Sequence, residues 1–237
     1  MKIYYDLHIH SCLSPCADAD MTPSNIVNMS ILNGLDVIAI TDHNSCKNCK
    51  ALVEAGKNSN LLVIPGMEIC TSEEIHVVCL FESVKDSEKF YDYVYSNMPL
   101  IQHRPDIFGS QTIMDSNDNK KGEEPYLLLN ATNISVNDIL NITNSYNGTA
   151  FPAHIDRSSY SIISSLGSIP PESGFKTVEI TNDCDIEKMV SLNPSIKNMS
   201  VLTSSDSHYL ESLVSKKHFF EIDTLSAKSI IKYIGGK

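Results

Sequence analysis

Ile3-Tyr4-Tyr5-Asp6-Leu7-His8-Ile9-His10 has the β-branched and aromatic content of a first strand that runs into a polar loop. Residues two apart on a strand share a face, so His8 and His10 project side by side from the strand's end. Two parallel imidazoles can share a metal ion. The pair alone fits equally two histidines satisfied by hydrogen bonds, so the rest of the chain has to decide.

Downstream, the arrangement repeats. Thr22-Pro23 reads as an N-cap followed by proline at the first helical position, with Ile26, Val27, Met29 and Ile31 as the apolar face and Gly34 as the stop. Asp36-Val37-Ile38-Ala39-Ile40 is an unbroken apolar run, the pattern of a parallel strand buried on both faces, and it ends in Thr41-Asp42-His43. A helix over 47–57 precedes Leu61-Leu62-Val63-Ile64 and Pro65-Gly66-Met67-Glu68. Ile75 to Phe81 is a further strand, 86–95 a helix and 135–145 another. Thr149 to Ala153 ends in His154, Thr177 to Ile180 precedes Thr181-Asn182-Asp183, and Val201-Leu202-Thr203 leads to Asp206-Ser207-His208. Phe219 to Ile222 and a helix over 226–234 close the chain. Residues 98–124 are polar and irregular, reading as an insertion or lid with a hairpin around Gln111 to Met114.

Alternating strands and helices predict an α/β fold with a parallel sheet, and 237 residues suit a barrel formed as one domain over 1–237. Chemistry in such folds gathers at the C-terminal ends of strands. His8, His10, His43, Glu68, His154, Asp206 and His208 all fall there. His76 lies at the start of its run, and reaches the same rim only if that strand is antiparallel. Imidazole and carboxylate donors together suit zinc, manganese or iron, and Glu68 is the best bridging group because Gly66 permits close backbone approach.

The formal charge of −11 argues against a long nucleic-acid tract but leaves room for a small phosphorylated substrate, possibly a nucleotide. No apolar run reaches the about twenty residues that span a bilayer, and the N-terminus shows no signal-peptide pattern, so no membrane partner and a cytoplasmic location are expected. The seven cysteines are read as reduced thiols. Cys46-Lys47-Asn48-Cys49 is an isolated CxxC, and Cys70 and Cys79 read as core. His103 and His218 stand outside the constellation. Nothing in the sequence fixes an oligomeric state.

Taken in order, Asp6-Leu7-His8-Ile9-His10-Ser11, Ile40-Thr41-Asp42-His43, Pro65-Gly66-Met67-Glu68, Ala153-His154 and Ser205-Asp206-Ser207-His208 resemble the successive motifs of the PHP (polymerase and histidinol phosphatase) family, in its short stand-alone phosphoesterase branch. The resemblance implies a distorted (β/α)7 barrel with a cluster of two to three divalent ions. It implies one ion on His8, His10, Glu68 and Asp206, a second bridged by Glu68 to His76 and His154, and a third on His43, His208 and a first-loop acid. That loop, Ser14-Pro15-Cys16-Ala17-Asp18-Ala19-Asp20, departs from the family's common Ser-Asp-Gly. Counting back from Thr22-Pro23 favours Asp18, with Asp20 as rival.

The reaction implied is hydrolysis of a small phosphate ester by a metal-bridging hydroxide. Arg157 is the candidate phosphate-binding cation, Asp42 a positioning carboxylate, and His208 or water a proton donor. Alternatives are a phosphodiesterase or exonuclease on very short oligonucleotides or nucleotide bisphosphates, a histidinol phosphate monoesterase, an amidohydrolase, and a non-catalytic metal-binding regulatory module.

Overall fold

The computed structural model describes residues 1–236. Its first half alternates as the apolar runs dictate: β1 (Lys2–Ile9), α1 (Pro23–Leu32), β2 (Val37–Ile40), α2 (Cys49–Gly56) and β3 (Leu62–Cys70). Thr22 Oγ1 caps α1 by accepting from the Asn25 amide, with Pro23 in the first turn. The three strands are parallel, Tyr5 opposite Val37 and Ile38 opposite Val63. Gly66 lies within β3. A Cβ there would stand 2.8 Å from the Cys79 carbonyl oxygen and 3.0 Å from that of Ile40, so only glycine lets the neighbouring strands close around it.

The regular repeat then breaks. Only residues 71–75 separate β3 from β4 (His76–Phe81), too few for a parallel crossover, and β4 returns antiparallel. Cys70 therefore pairs with His76, which brings the start of β4 to the rim where β3 ends. After α3 (Val84–Ser96), α4 (Pro105–Phe108), β5 (Thr112–Met114), β6 (Lys120–Glu123) and α5 (Ile139–Ser145), β7 (Gly148–Pro152) pairs antiparallel with β4. The chain ends with α6 (Ile162–Leu166), β8 (Thr177–Ile180), α7 (Ile186–Leu192), β9 (Ser200–Thr203), β10 (Phe219–Glu221) and α8 (Ala227–Ile234).

The main sheet runs β10-β1-β2-β3-β4-β7, with β8-β9 a separate parallel pair. That pair spans the gap between the sheet's two ends. Ile155 N–H donates to the Glu179 carbonyl at 2.8 Å, and His10 N–H to the Ser207 carbonyl at 2.9 Å. The result is a curled, barrel-like α/β sheet with two antiparallel pairings inside it, rather than an unbroken succession of βα units. Alternate strand residues feed two cores. Leu7, Ala39, Ile64, Val78, Leu80 and Phe151 pack in one with Ile230, Ile231 and Ile234 of α8. Ile38, Ile40, Ile69, Val77 and Cys79 pack in the other beneath the remaining helices. Cys46 and Cys49 are buried in that second core, where Cys49 Sγ meets the Gly66 carbonyl at 3.3 Å, and the CxxC joins no metal-capable group among the described residues.

Residues 98–124 hold α4 and the antiparallel hairpin β5-β6, docked on the loop that follows β1. Thr112 N–H donates to Cys12 O at 2.9 Å, and Asn48, buried between them, donates to Thr112 O at 3.0 Å and accepts from Met114 N–H at 2.9 Å. Gly109, at φ +91°, lies so close that a Cβ would come within 2.2 Å of the Pro15 carbonyl oxygen. No helix among the described residues is long and apolar enough to cross a membrane.

Candidate metal centre

Glu68 stands at the centre of the rim, 1 % exposed. Its Oε1 lies 3.0 Å from His76 Nδ1, 3.2 Å from His8 Nε2 and 3.4 Å from His154 Nε2. Its Oε2 lies 3.0 Å from His43 Nδ1 and 3.4 Å from His10 Nε2. Asp206 Oδ1 sits 3.3 Å from His8 Nε2 and 3.2 Å from His10 Nε2, and those two nitrogens face one another at 3.2 Å. Neither oxygen of Glu68 receives an aligned hydrogen bond, although both are buried. Lone pairs crowded together without donors between them are the arrangement a cation satisfies. Three groups have ligand atoms within one ion's reach: His8, His10 and Glu68; His43, Glu68 and His76; and His10, His43 and His208.

Further hydrogen bonds turn the rings. Asp42 accepts Ser11 N–H and Ser14 Oγ–H on Oδ1 and Ser11 Oγ–H on Oδ2, each at 2.7 Å. With its own proton given to Asp42, Ser14 Oγ accepts from His10 Nδ1 at 3.0 Å, which leaves the Nε2 lone pair facing the cluster. Asp42 thus acts on His10 through Ser14. His208 Nδ1 meets the Asp206 carbonyl at 2.9 Å. For His8 the partner is Glu179, whose Oε1 lies 2.8 Å from His8 Nδ1 and also accepts His154 N–H at 3.2 Å. Sequence reasoning passed over Glu179. The available signal was a lone carboxylate inside the apolar strand Thr177-Val178-Glu179-Ile180, which could not be buried without a partner.

Electrostatics follow from this crowding. Burial opposes ionisation throughout, but His76, His8 and His43 hold Glu68 well below the usual carboxylate range. His8 and His10 likewise hold Asp206 down. Burial would lower the His10 and His43 pKa values, yet the carboxylates beside them raise both to about 9, and Glu179, Asp206 and Glu68 raise His8 well above its ordinary value. His208, partly buried beside His10, is pushed down to about 3 by desolvation and the neighbouring imidazole. His154 (φ +29°) and Asp206 (φ +51°) both hold left-handed backbone without being glycine. Such strain concentrates where surrounding structure fixes a working geometry.

Arg157 reaches the rim from the loop after His154, its Nη1 2.6 Å from Asp206 Oδ2 and its side chain 46 % exposed. Asp156 anchors that loop by accepting Thr181 N–H at 2.9 Å. Asp18 lies apart from the cluster. It is exposed, its Oδ1 accepts the Asp20 amide at 2.8 Å, and it belongs to none of the metal-capable groups among the described residues. Asp20 is likewise exposed. The reason is local: the loop closes an Asp18–Asp20 turn that uses the carboxylate as its own acceptor. His103 is buried in residues 98–124, Nε2 donating to Gly109 O at 2.8 Å, and His218 Nε2 meets Asn182 Oδ1 at 2.9 Å.

The model of the PHP domain matches residues 6–160. The 5'-3' exoribonuclease of Haemophilus influenzae is 34% identical over 79 residues, covering 32% of this chain and 28% of that protein. The 5'-3' exoribonuclease Rnm of Salmonella typhimurium is 36% identical over 83 residues, 33% of this chain and 27% of that protein. The chain thus aligns with less than a third of either relative's length. Among solved structures, the lesion-specific endonuclease PfuEndoQ of Pyrococcus furiosus superposes with TM-score 0.68 at 19% identity, over 100% of this chain and 56% of that one, a likeness of fold. With the family's domain covering well over half of its length, and the later residues Asp206 and His208 folded back onto the same rim, the chain belongs to the PHP domain family.

Proposed function

We propose that this chain is a metal-dependent phosphoesterase. The observation that carries the reading is the convergence of five histidines on the unpartnered carboxylate of Glu68, with Asp206 and His208 beside them. His8, His10, Glu68 and Asp206 would hold one divalent ion, His76 and His154 with Glu68 a second, and His43 and His208 would contribute to a third. Bound there, divalent ions supply Lewis-acid charge to phosphoryl oxygens and raise the nucleophilicity of water at neutral pH.

The chain's own residues do the rest. Arg157, with one nitrogen on Asp206 and its remaining donors open to solvent, grips the phosphoryl oxygens. Asp206 therefore sets both the cluster and the orientation of that guanidinium. Asp42 through Ser14, and Glu179 directly, keep His10 and His8 in the tautomer that faces the cluster. His208, neutral at pH 7, serves as a donor to metal rather than as a general acid.

A second reading, phosphodiester cleavage at the ends of short oligonucleotides, is favoured by the two exoribonuclease relatives. The net charge of −11 disfavours long tracts but not short ends. Elemental analysis of protein purified without added metal, paired with hydrolysis of an aryl phosphate, its diester and 5'-phosphorylated dinucleotides, tests both. Retained metal with monoester turnover supports the phosphoesterase acting on small esters, and preference for diester and dinucleotide supports the second reading. His8→Ala and Asp206→Ala should lose metal and turnover with circular dichroism unchanged. Full activity in either variant overturns the assignment of the cluster, and neither metal nor turnover with manganese or zinc supplied to the native chain overturns the proposal and leaves a non-catalytic module.

A further inference from the structure

We propose that Tyr160, with the groove beside it, is the subsite that receives a nucleobase joined to the phosphoryl group at the metal rim. Tyr160 would thereby set the substrate class of the phosphoesterase reading above, on which this rests. The residue is 48 % exposed, yet its ring stacks on that of His76 with centroids 4.6 Å apart and planes 25° from parallel. His76 Nδ1 in turn lies 3.0 Å from Glu68 Oε1. One face of the phenol ring is thus seated against the candidate metal centre, and the other is left open to solvent.

Tyr160 holds φ +53°, a left-handed conformation that a bulky aromatic residue adopts only where its surroundings fix it. Three hydrogen bonds do so. The Tyr160 carbonyl accepts His76 N–H at 2.9 Å, Ser161 Oγ donates to the Ile155 carbonyl at 2.8 Å, and Arg157 N–H donates to the His154 carbonyl at 2.9 Å. The loop after His154 therefore presents two groups on one fixed frame, Arg157 against Asp206 and Tyr160 against His76. Three residues of chain separate their Cα atoms by no more than about 11 Å. The guanidinium and the ring thus stand within the span of one nucleotide.

A groove of about 330 Å³ opens beside Tyr160, lined also by Glu74, Ser158, Ser159, Ser164 and Ser165. Its lining offers one carboxylate and four hydroxyls beside the aromatic ring, and no cation. A phosphate is repelled there, so the groove suits the uncharged part of a substrate. An alkyl group would take water from those polar atoms and give no partner in return. A base matches both features, with a π-face that stacks on tyrosine and an edge of donors and acceptors for the serines and Glu74. Stacking accepts every base, so the subsite favours nucleotides as a class rather than one of them.

The test uses the intact metal-loaded chain and two probes that resist hydrolysis, the methylenephosphonate analogues of adenosine 5'-phosphate and of ribose 5-phosphate, which differ only in the base. Calorimetry reads the affinity of each. Native protein should bind the nucleoside probe about tenfold more tightly, the value of one stacked base. Glycine suits the left-handed backbone at this position, so Tyr160→Gly removes the ring without straining the loop. The preference should then fall below about twofold, and Tyr160→Phe should keep it. A residue that merely positioned His76 would weaken both probes alike on replacement and leave the preference in place. The chain has no tryptophan, so Tyr160→Trp gives a second measurement: its indole fluorescence should be quenched by the nucleoside probe and not by the ribose probe. Equal native affinity for the two probes, a preference that survives in Tyr160→Gly, or fluorescence indifferent to the base overturns the assignment. Any of these with metal bound and phosphoester turnover intact leaves the phosphoesterase reading standing, whereas absence of any bound ion refutes that reading first and the subsite with it.

Discussion

Glu179→Gln separates charge from shape at the centre. The native carboxylate sits 2.8 Å from His8 Nδ1, with both side chains almost wholly removed from water. Glutamine keeps an acceptor for the Nδ1 proton, so the His8 tautomer survives and only the charge is lost. Outer partners of ligand histidines are worth about 10–100-fold in metal affinity, or about 1.4–2.7 kcal/mol. The charge alone should account for the lower end, so Glu179→Gln weakens binding about tenfold. Glu179→Ala also leaves the His154 amide without its acceptor and weakens binding about a hundredfold. The loss should depend on pH in a defined direction. Glu179 helps to hold the His8 pKa well above its ordinary value, so in native protein a proton competes with metal at His8 near neutrality. Glutamine weakens that proton as well as the metal. The deficit is therefore smallest near pH 6 and grows as pH rises toward 9. Chelator competition against metal-free protein, run across that range with zinc, measures it. Equal affinities of native and Glu179→Gln protein at pH 9 refute the argument, as does a deficit that shrinks as pH rises.

Arg157→Ala should lower kcat/KM by about 10–100-fold, the value of one charged hydrogen-bonding group, while metal content is retained. Arg157→Lys should recover little of it, because an ammonium cannot engage two phosphoryl oxygens in a plane; full recovery would remove Arg157 from phosphate binding. Metal uptake at pH 7 should release about one proton or more per chain, since His10 and His43 titrate at about 9 beside Asp206 and Glu68. Calorimetry in buffers of different ionisation enthalpy reads this directly, and identical enthalpies would contradict it. Both pKa values lie above the unfolded value, so their stabilisation of the metal-free protein is complete below about pH 6.5 and lost as pH rises through 9. Thermal unfolding should show Tm falling across that window only without metal. Gly66→Ala should cost about 1–3 kcal/mol, because the added Cβ would lie 2.8 Å from the Cys79 carbonyl oxygen and 3.0 Å from that of Ile40. An unchanged Tm would show that the strands can part at no cost.

What the sequence made legible and what it hid divide along a physical line. Apolar runs that end in ligand-type residues are local patterns, and they located β1, β2, β3, β7 and β9 together with the histidines and acids at their ends. The same locality made His76 look misplaced, at the head of its strand. Its place depends on strand direction, and direction is set by the five-residue connection at 71–75, which forces an antiparallel return. Short elements such as α6 and α7, five and seven residues, carry too little periodicity to be read. In the first loop the difficulty is of another kind. Counting residues assigns Asp18 by distance along the chain, but a turn spends its carboxylate on the Asp20 amide and leaves it exposed. Glu179 falls between these cases. Its burial in an apolar strand announces that some cation or donor must face it, yet its partner, His8, is 171 residues away, and only the closing of the sheet through β8 and β9 brings them together. The candidate metal ligands are thus written in local pattern, while the groups that orient them are written in topology. A metal centre inferred from sequence alone should accordingly be expected to lack its outer carboxylates first.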